Sequence, residues 1–218
     1  MKNARTIWAL SMLLTAVGGG GATTDAGTVL AAVAETASTS SRVTVEAWEA
    51  DYPATTEVDG ATVYAQTLGQ IATVERALGL LRTAGMALPH VEVWMHPDDN
   101  GCTAGNGDLR AGVLMIRNGR YVIHLCGNLF TLLHELAHAW DRHTVTDSQR
   151  AAFLALRELD AWSTSPDDWA NAGGEHLADV VAWGLHPDHV RPSRTKPNDD
   201  ASLHQAYVVA TGRQPLDG

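Results

Sequence analysis

The clearest chemistry in this chain sits in five residues, His134-Glu135-Leu136-Ala137-His138. Two histidines four apart on a helix share one face and lie about one turn from each other. Their imidazoles can converge on a single point at the reach of a zinc–nitrogen bond, about 2.0–2.1 Å. Glu135 is rotated to the edge of that face, where it can take a proton from a zinc-held water without itself binding the metal. Leu129, Leu132, Leu133, Leu136 and Trp140 cover the remaining faces with apolar surface. A polar face on an otherwise buried helix needs compensation, and one Zn2+ ion is the expected cofactor that supplies it. His143 is the nearest further imidazole. It follows His134 by nine residues, roughly 900° of helical rotation, which turns it half a turn away from the pair. It is expected instead as an exposed cation near the helix C-terminus, where the dipole favours it.

The third ligand is sought in residues 173–183, GGEHLADVVAW. Glu175 and Asp179 are again four apart on one helix face, with Leu177, Val180, Val181 and Leu185 left for the core. HExxH joined downstream by ExxxD resembles the gluzincin metallopeptidases, and the resemblance spans roughly residues 120–186. The metzincin pattern has glycine and histidine three and six residues after the second histidine; Asp141 and Thr144 stand there instead. The gluzincin resemblance implies metal ligands His134, His138 and Glu175, with Glu135 as general base. It also implies that Asp179 is the carboxylate that hydrogen-bonds a ligand histidine, His134. Gly174 occupies a position where that family often has asparagine. His176 stays open as the rival third ligand, although choosing it strands Glu175 and loses the role of Asp179. By this resemblance the chain is a small exported bacterial zincin-like protein.

Three protein ligands leave a fourth position for water, which marks a catalytic rather than a closed structural site. Zinc would lower the pKa of that water and polarise a scissile carbonyl. Glu135 would take the proton and later deliver it to the leaving amine. The expected activity is therefore zinc-dependent hydrolysis of a peptide bond in a peptide or protein substrate. The alternative is a zincin-fold binding protein that uses the zinc structurally. Donors for the tetrahedral oxyanion are sought beyond the third-ligand helix, in His189, His204 and Tyr207. By resemblance, the strand Arg120 to Leu125 is the edge on which an extended substrate adds as a further strand. Trp140, Trp162, Trp169 and Trp183 either line a pocket or fill the core.

Several elements must position these groups. Residues 66–84 have helical spacing of Leu68, Ile71, Val74, Ala77, Leu78 and Leu81. Residues 90–95 read as a strand. The run AGVLMIRNGRYVIHLC reads as a hairpin turning at Asn118-Gly119, a pair suited to the mirror-image turn. Asn128 is expected to cap a helix from Leu129 to about His143. Asp147 or Ser148 would cap a second helix through Leu159. A third is expected from about Trp169 to Leu185, and a last one over 201–211 before Gly212. The fold class is therefore α+β and zincin-like: a small N-terminal, mostly antiparallel sheet followed by helices carrying HExxH and ExxxD.

Composition fixes the setting. The 218 residues carry a formal charge of −10, which argues against nucleic acid as a partner. Lys2 and Arg5 precede an apolar run from Ile7 to Val17 and then small residues. This is the order of an export signal too short to span a bilayer comfortably. Residues 1–22 are expected as signal peptide, with cleavage after Ala22 or after Ala34, and 23–41 as linker or pro-segment. Residues 42–218 are expected as one monomeric domain starting with a strand at Val43 and Val45. The protein is thus expected to be secreted or extracytoplasmic, touching a membrane only through an uncleaved signal segment. The only two lysines are Lys2 and Lys196, an arginine bias that suits a GC-rich bacterial genome. In an oxidising compartment Cys102 and Cys126 would pair, closing a loop worth about 3.5 kcal/mol on the chain-entropy model.

Overall fold

Two tight hairpins frame the sheet. In each, both turn residues have positive φ: Asp59 at 46° and Gly60 at 83°, Asn118 at 51° and Gly119 at 77°. These are the mirror-image turns whose twist matches that of paired strands. The first joins β1 (Ala54–Val58) to β2 (Ala61–Ala65); the second joins β4 (Gly112–Arg117) to β5 (Arg120–Leu125). Between the hairpins lies β3 (Val91–Met95), giving the order β1-β2-β3-β5-β4. The computed structural model describes Tyr52 and residues 54–96, 112–126, 128–164 and 166–216. The expected signal peptide, the 23–41 segment, the strand at Val43 and Val45, and Cys102 lie outside the described residues. Cys126, just after β5, is disulfide-bonded.

The sheet is mixed rather than mostly antiparallel. β3 runs parallel to both β2 and β5. The cause is α1 (Leu68–Thr83), which carries the chain back across the sheet after β2 so that β3 starts from the same end. Thr67 caps α1 reciprocally with Gln70, satisfying two orphan donors of the first turn. The pairing also corrects the expected edge. β5 is an interior strand between β3 and β4, and the edge next to the HExxH helix is β4.

Helices cover one face of the sheet. α2 (Leu129–Thr144) starts at Asn128, whose side chain accepts the Thr131 N–H at 3.2 Å. α3 (Asp147–Arg157) is capped by Thr146, one residue before the expected cap. Trp169 sits in a 3-10 turn, Pro166–Asn171, ahead of α4 (Gly173–Leu185), not within that helix. α5 (Asp200–Thr211) is capped by Asp199 and ends at Gly212 in the left-handed conformation. Val93, Met95, Ile123 and Leu125 of the sheet share one core with Leu132, Leu133 and Leu136 of α2 and Leu177, Val180 and Val181 of α4. On the opposite sheet face Tyr64 stacks on Trp94 at 3.8 Å, with Tyr52 and Val122 beside them. No helix among the described residues is long and apolar enough to cross a membrane.

α5 locks α4 through one close approach. A Cβ at Gly184 would lie 2.1 Å from Tyr207 Cδ2, well inside contact distance. Tyr207 is fully buried, and its hydroxyl has no hydrogen-bond partner among the described residues. Two opposite outcomes follow. Gly184→Ala should destabilise the fold by about 2–3 kcal/mol, because the aromatic ring has no room to yield. Tyr207→Phe should be neutral or stabilising by about 1 kcal/mol, because it removes an unsatisfied buried hydroxyl. Urea denaturation of the two variants checks both signs.

Candidate metal centre

α2 and α4 pack side by side, and their facing polar residues meet at one point. His134 Nε2, His138 Nε2 and Glu175 Oε2 form a triangle with sides of 3.2, 3.2 and 3.3 Å. A tetrahedral ion with donors at about 2.05 Å holds them about 3.3 Å apart, so the triangle has the size of one face of such a site. The group could hold a metal ion.

Hydrogen-bond logic sharpens the case. His134 Nδ1 lies 2.8 Å from Asp179 Oδ1. A carboxylate only accepts, so Nδ1 carries the proton. Nε2 of the same ring faces His138 Nε2 and the Glu175 carboxylate. Atoms this close need a proton or a metal ion among them. Burial opposes charge on His134, but the Asp179 and Glu175 carboxylates outweigh it and lift the imidazole to about 10. Burial also works against ionised Glu175, yet bonds from both imidazoles hold it down to about 2. The pocket attracts a cation, whether proton or metal.

Behind this triangle the support is layered. Asp179 is itself fixed by Thr195, whose hydroxyl donates to Oδ2 at 2.8 Å. Both are buried. The start of α4 is held by two backbone bonds, Gly173 N–H to Ala161 O at 3.0 Å and Gly174 N–H to Trp162 O at 2.9 Å. This pins Glu175, the next residue, in the first turn. On the open side the Trp169 ring stacks over His134, with centroids 6.2 Å apart and planes 24° apart.

Glu135 stands beside the triangle rather than in it. Its carboxylate accepts a hydrogen bond from the backbone of Leu114 in β4, and burial pushes the carboxyl up. A Cβ at Gly112 would fall 2.8 Å from Glu135 Cγ and Oε1. Only glycine lets the edge strand come this close to the acid. In a two-residue hairpin, alternate residues of β4 turn their backbone groups away from β5. The register makes these Gly112, Leu114 and Ile116, which agrees with Leu114 donating outward to Glu135.

The remaining sequence candidates lie elsewhere. His176 points away from the triangle: its Nε2 donates to Ala170 O at 2.7 Å, and Nδ1 accepts from buried Arg157 at 3.3–3.4 Å. Burial lowers the His176 pKa, with Arg157 adding to the effect. His143 is exposed in the last turn of α2. Tyr207 packs on Gly184, nine residues along α4 from Glu175, a rise of about 14 Å. His189 bonds to Trp183 O at that same far end of α4. His204 is exposed on α5. Of the four tryptophans, Trp140 and Trp183 are core, Trp162 borders it, and Trp169 alone stacks on a residue of the triangle. Compared with known proteins, the chain matches no family model, no curated protein and no solved structure.

Two measurements test the centre. Asp179→Ala should weaken zinc binding about 10- to 100-fold. Glu175→Ala should weaken it far more than His176→Ala or His143→Ala. Because the His134 pKa is raised to about 10, a metal must displace a proton from it at neutral pH. Apparent zinc affinity should therefore fall by about tenfold per unit as pH drops from 8 to 6. Calorimetry in buffers of different ionisation enthalpy counts the proton released.

Proposed function

We propose that this chain is a zinc-dependent peptidase of the gluzincin kind. The observation that carries the reading is the juxtaposition of three convergent ligand atoms from α2 and α4, a non-ligand carboxylate on α2 and the edge strand β4. A structural zinc site would use four protein ligands; the described residues bring together three. The chemistry of the donor set, two imidazoles and one carboxylate, suits zinc.

Bound at this triangle, zinc supplies the Lewis acidity that polarises a carbonyl and makes water acidic near neutral pH. The chain's own residues would do the rest. His134 is kept in one tautomer and one orientation by Asp179, and Asp179 by Thr195. β4 offers the outward backbone groups of Gly112, Leu114 and Ile116, to which an extended peptide can add as an antiparallel or parallel strand. That strand would run directly past Glu135, since Glu135 already touches β4 at Gly112 and Leu114. Glu135 then takes a proton from the attacking water and returns it to the departing amine nitrogen. Its raised pKa suits the first half of that exchange, because a stronger base captures the proton more readily. Trp169 covers the His134 side and limits solvent there.

The deciding experiment uses Glu135→Gln, a change of one atom type at a residue that does not bind the metal. Zinc content should equal that of wild type, while cleavage of a mixed peptide library falls about 10²- to 10⁴-fold. Equal cleavage by both proteins would refute the role of Glu135. Cleavage by neither, with zinc retained, would favour a zincin-fold binding protein.

A further inference from the structure

Arg194 is an exposed cation with an unusual seat. Its guanidinium carbon lies 4.5 Å from the centre of the Trp169 ring, and that ring is the one stacked over His134 at 6.2 Å. The next residue, Thr195, is fully buried and bonded to Asp179. The backbone that anchors the metal-site carboxylate thus also fixes the base of the Arg194 side chain. Nearby Arg191 is different: it forms a two-pronged pair with Asp200 at 2.8 and 2.5 Å. Arg194 forms no ion pair among the described residues.

A guanidinium held over an indole is oriented by the ring and keeps its five N–H donors available at its rim. Those donors match a carboxylate in a planar, two-pronged geometry. The acids of the candidate metal centre are already engaged: Asp179 by His134 and Thr195, Glu175 by the histidine pair, Glu135 by the Leu114 backbone. No described acid forms an ion pair with Arg194. In a protein of formal charge −10, an unpaired cation two ring layers from the metal ligands marks where an anionic group is welcome. An extended peptide advances about 3.4 Å per residue, so two or three residues span the two ring layers.

We propose that Arg194, stacked on Trp169, selects substrates bearing a carboxylate two or three residues from the bond to be cut. This rests on the peptidase reading above. The carboxylate can be an aspartate or glutamate side chain, or the free α-carboxylate of a short peptide. In the first case the enzyme cuts within acidic segments; in the second it trims chain ends.

Binding and cleavage are measured separately. Zinc-loaded, full-chain Glu135→Gln protein is titrated with two matched peptide pairs. One pair is amidated and differs only by Glu or Gln, placed in turn at each position of an otherwise neutral peptide. The other is neutral in its side chains and differs only by a free or amidated C-terminus. The carboxylate member of at least one pair should bind roughly three- to tenfold tighter. Which pair shows the preference identifies the source of the carboxylate. Adding Arg194→Gln should bring that ratio close to one, while zinc affinity stays unchanged, showing that Thr195 still holds Asp179. The same ratios in kcat/KM are then read with active protein. Equal affinities within both pairs, or a preference that survives Arg194→Gln, overturns the anion site. Cleavage without preference overturns the anion site and leaves the peptidase standing. Preference that depends on Arg194 but comes with no cleavage supports the anion site and sinks the peptidase.

Discussion

Everything at the centre of this protein depends on one conflict: two ring nitrogens and a carboxylate oxygen are held 3.2–3.3 Å from one another, so a proton or a metal ion must lie among them. The conflict is sustained by the 2.8 Å bond from His134 Nδ1 to Asp179, which commits the proton of that ring to the far side. It is held in turn by the packing of Leu132, Leu133 and Leu136 with Leu177, Val180 and Val181, apolar side chains in one core that fix the two helices side by side. Hydrophobic burial is non-directional and strong enough to impose such an arrangement. The polar geometry rides on it.

That arrangement divides labour among three carboxylates that look alike in composition. Glu175 faces the triangle and is held down to about 2. Asp179 faces an imidazole and a hydroxyl. Glu135 faces the backbone of a strand and is pushed up by burial. The distinctions come from what each side chain meets, not from residue type. One small site thus holds three carboxylates in three different environments.

The pairs spaced four apart were legible in the sequence because helical periodicity fixes them locally: His134 with His138, and Glu175 with Asp179. Caps at Asn128 and the Asn118-Gly119 turn were legible for the same reason. The β1–β2 hairpin is equally readable, since Asp59-Gly60 between alternating residues is a strong turn pattern. What sequence could not supply was strand order. The placement of β4 at the edge depends on long-range pairing and on the α1 crossover, neither of which leaves a local signature. Thr195 and Arg194 were hidden for a related reason. They lie in a loop whose residues have no period, and only the fold brings Thr195 to Asp179 and Arg194 to Trp169. The oxyanion candidates failed to gather because α4 is rigid: being near Glu175 in sequence along a helix means moving away from it in space.

The two halves of the triangle sit on separate helices, 134–138 on α2 and 175 on α4, with α3 and the 3-10 turn looped between them. An ion shared by the three side chains would therefore also act as a removable staple across about 40 residues. On the loop-entropy argument used for disulfides, such a closure is worth about 4 kcal/mol, comparable to a large part of a small domain's stability. Stripping the ion would remove a cross-link as well as a charge, leaving the shared apolar core alone to hold the two helices together.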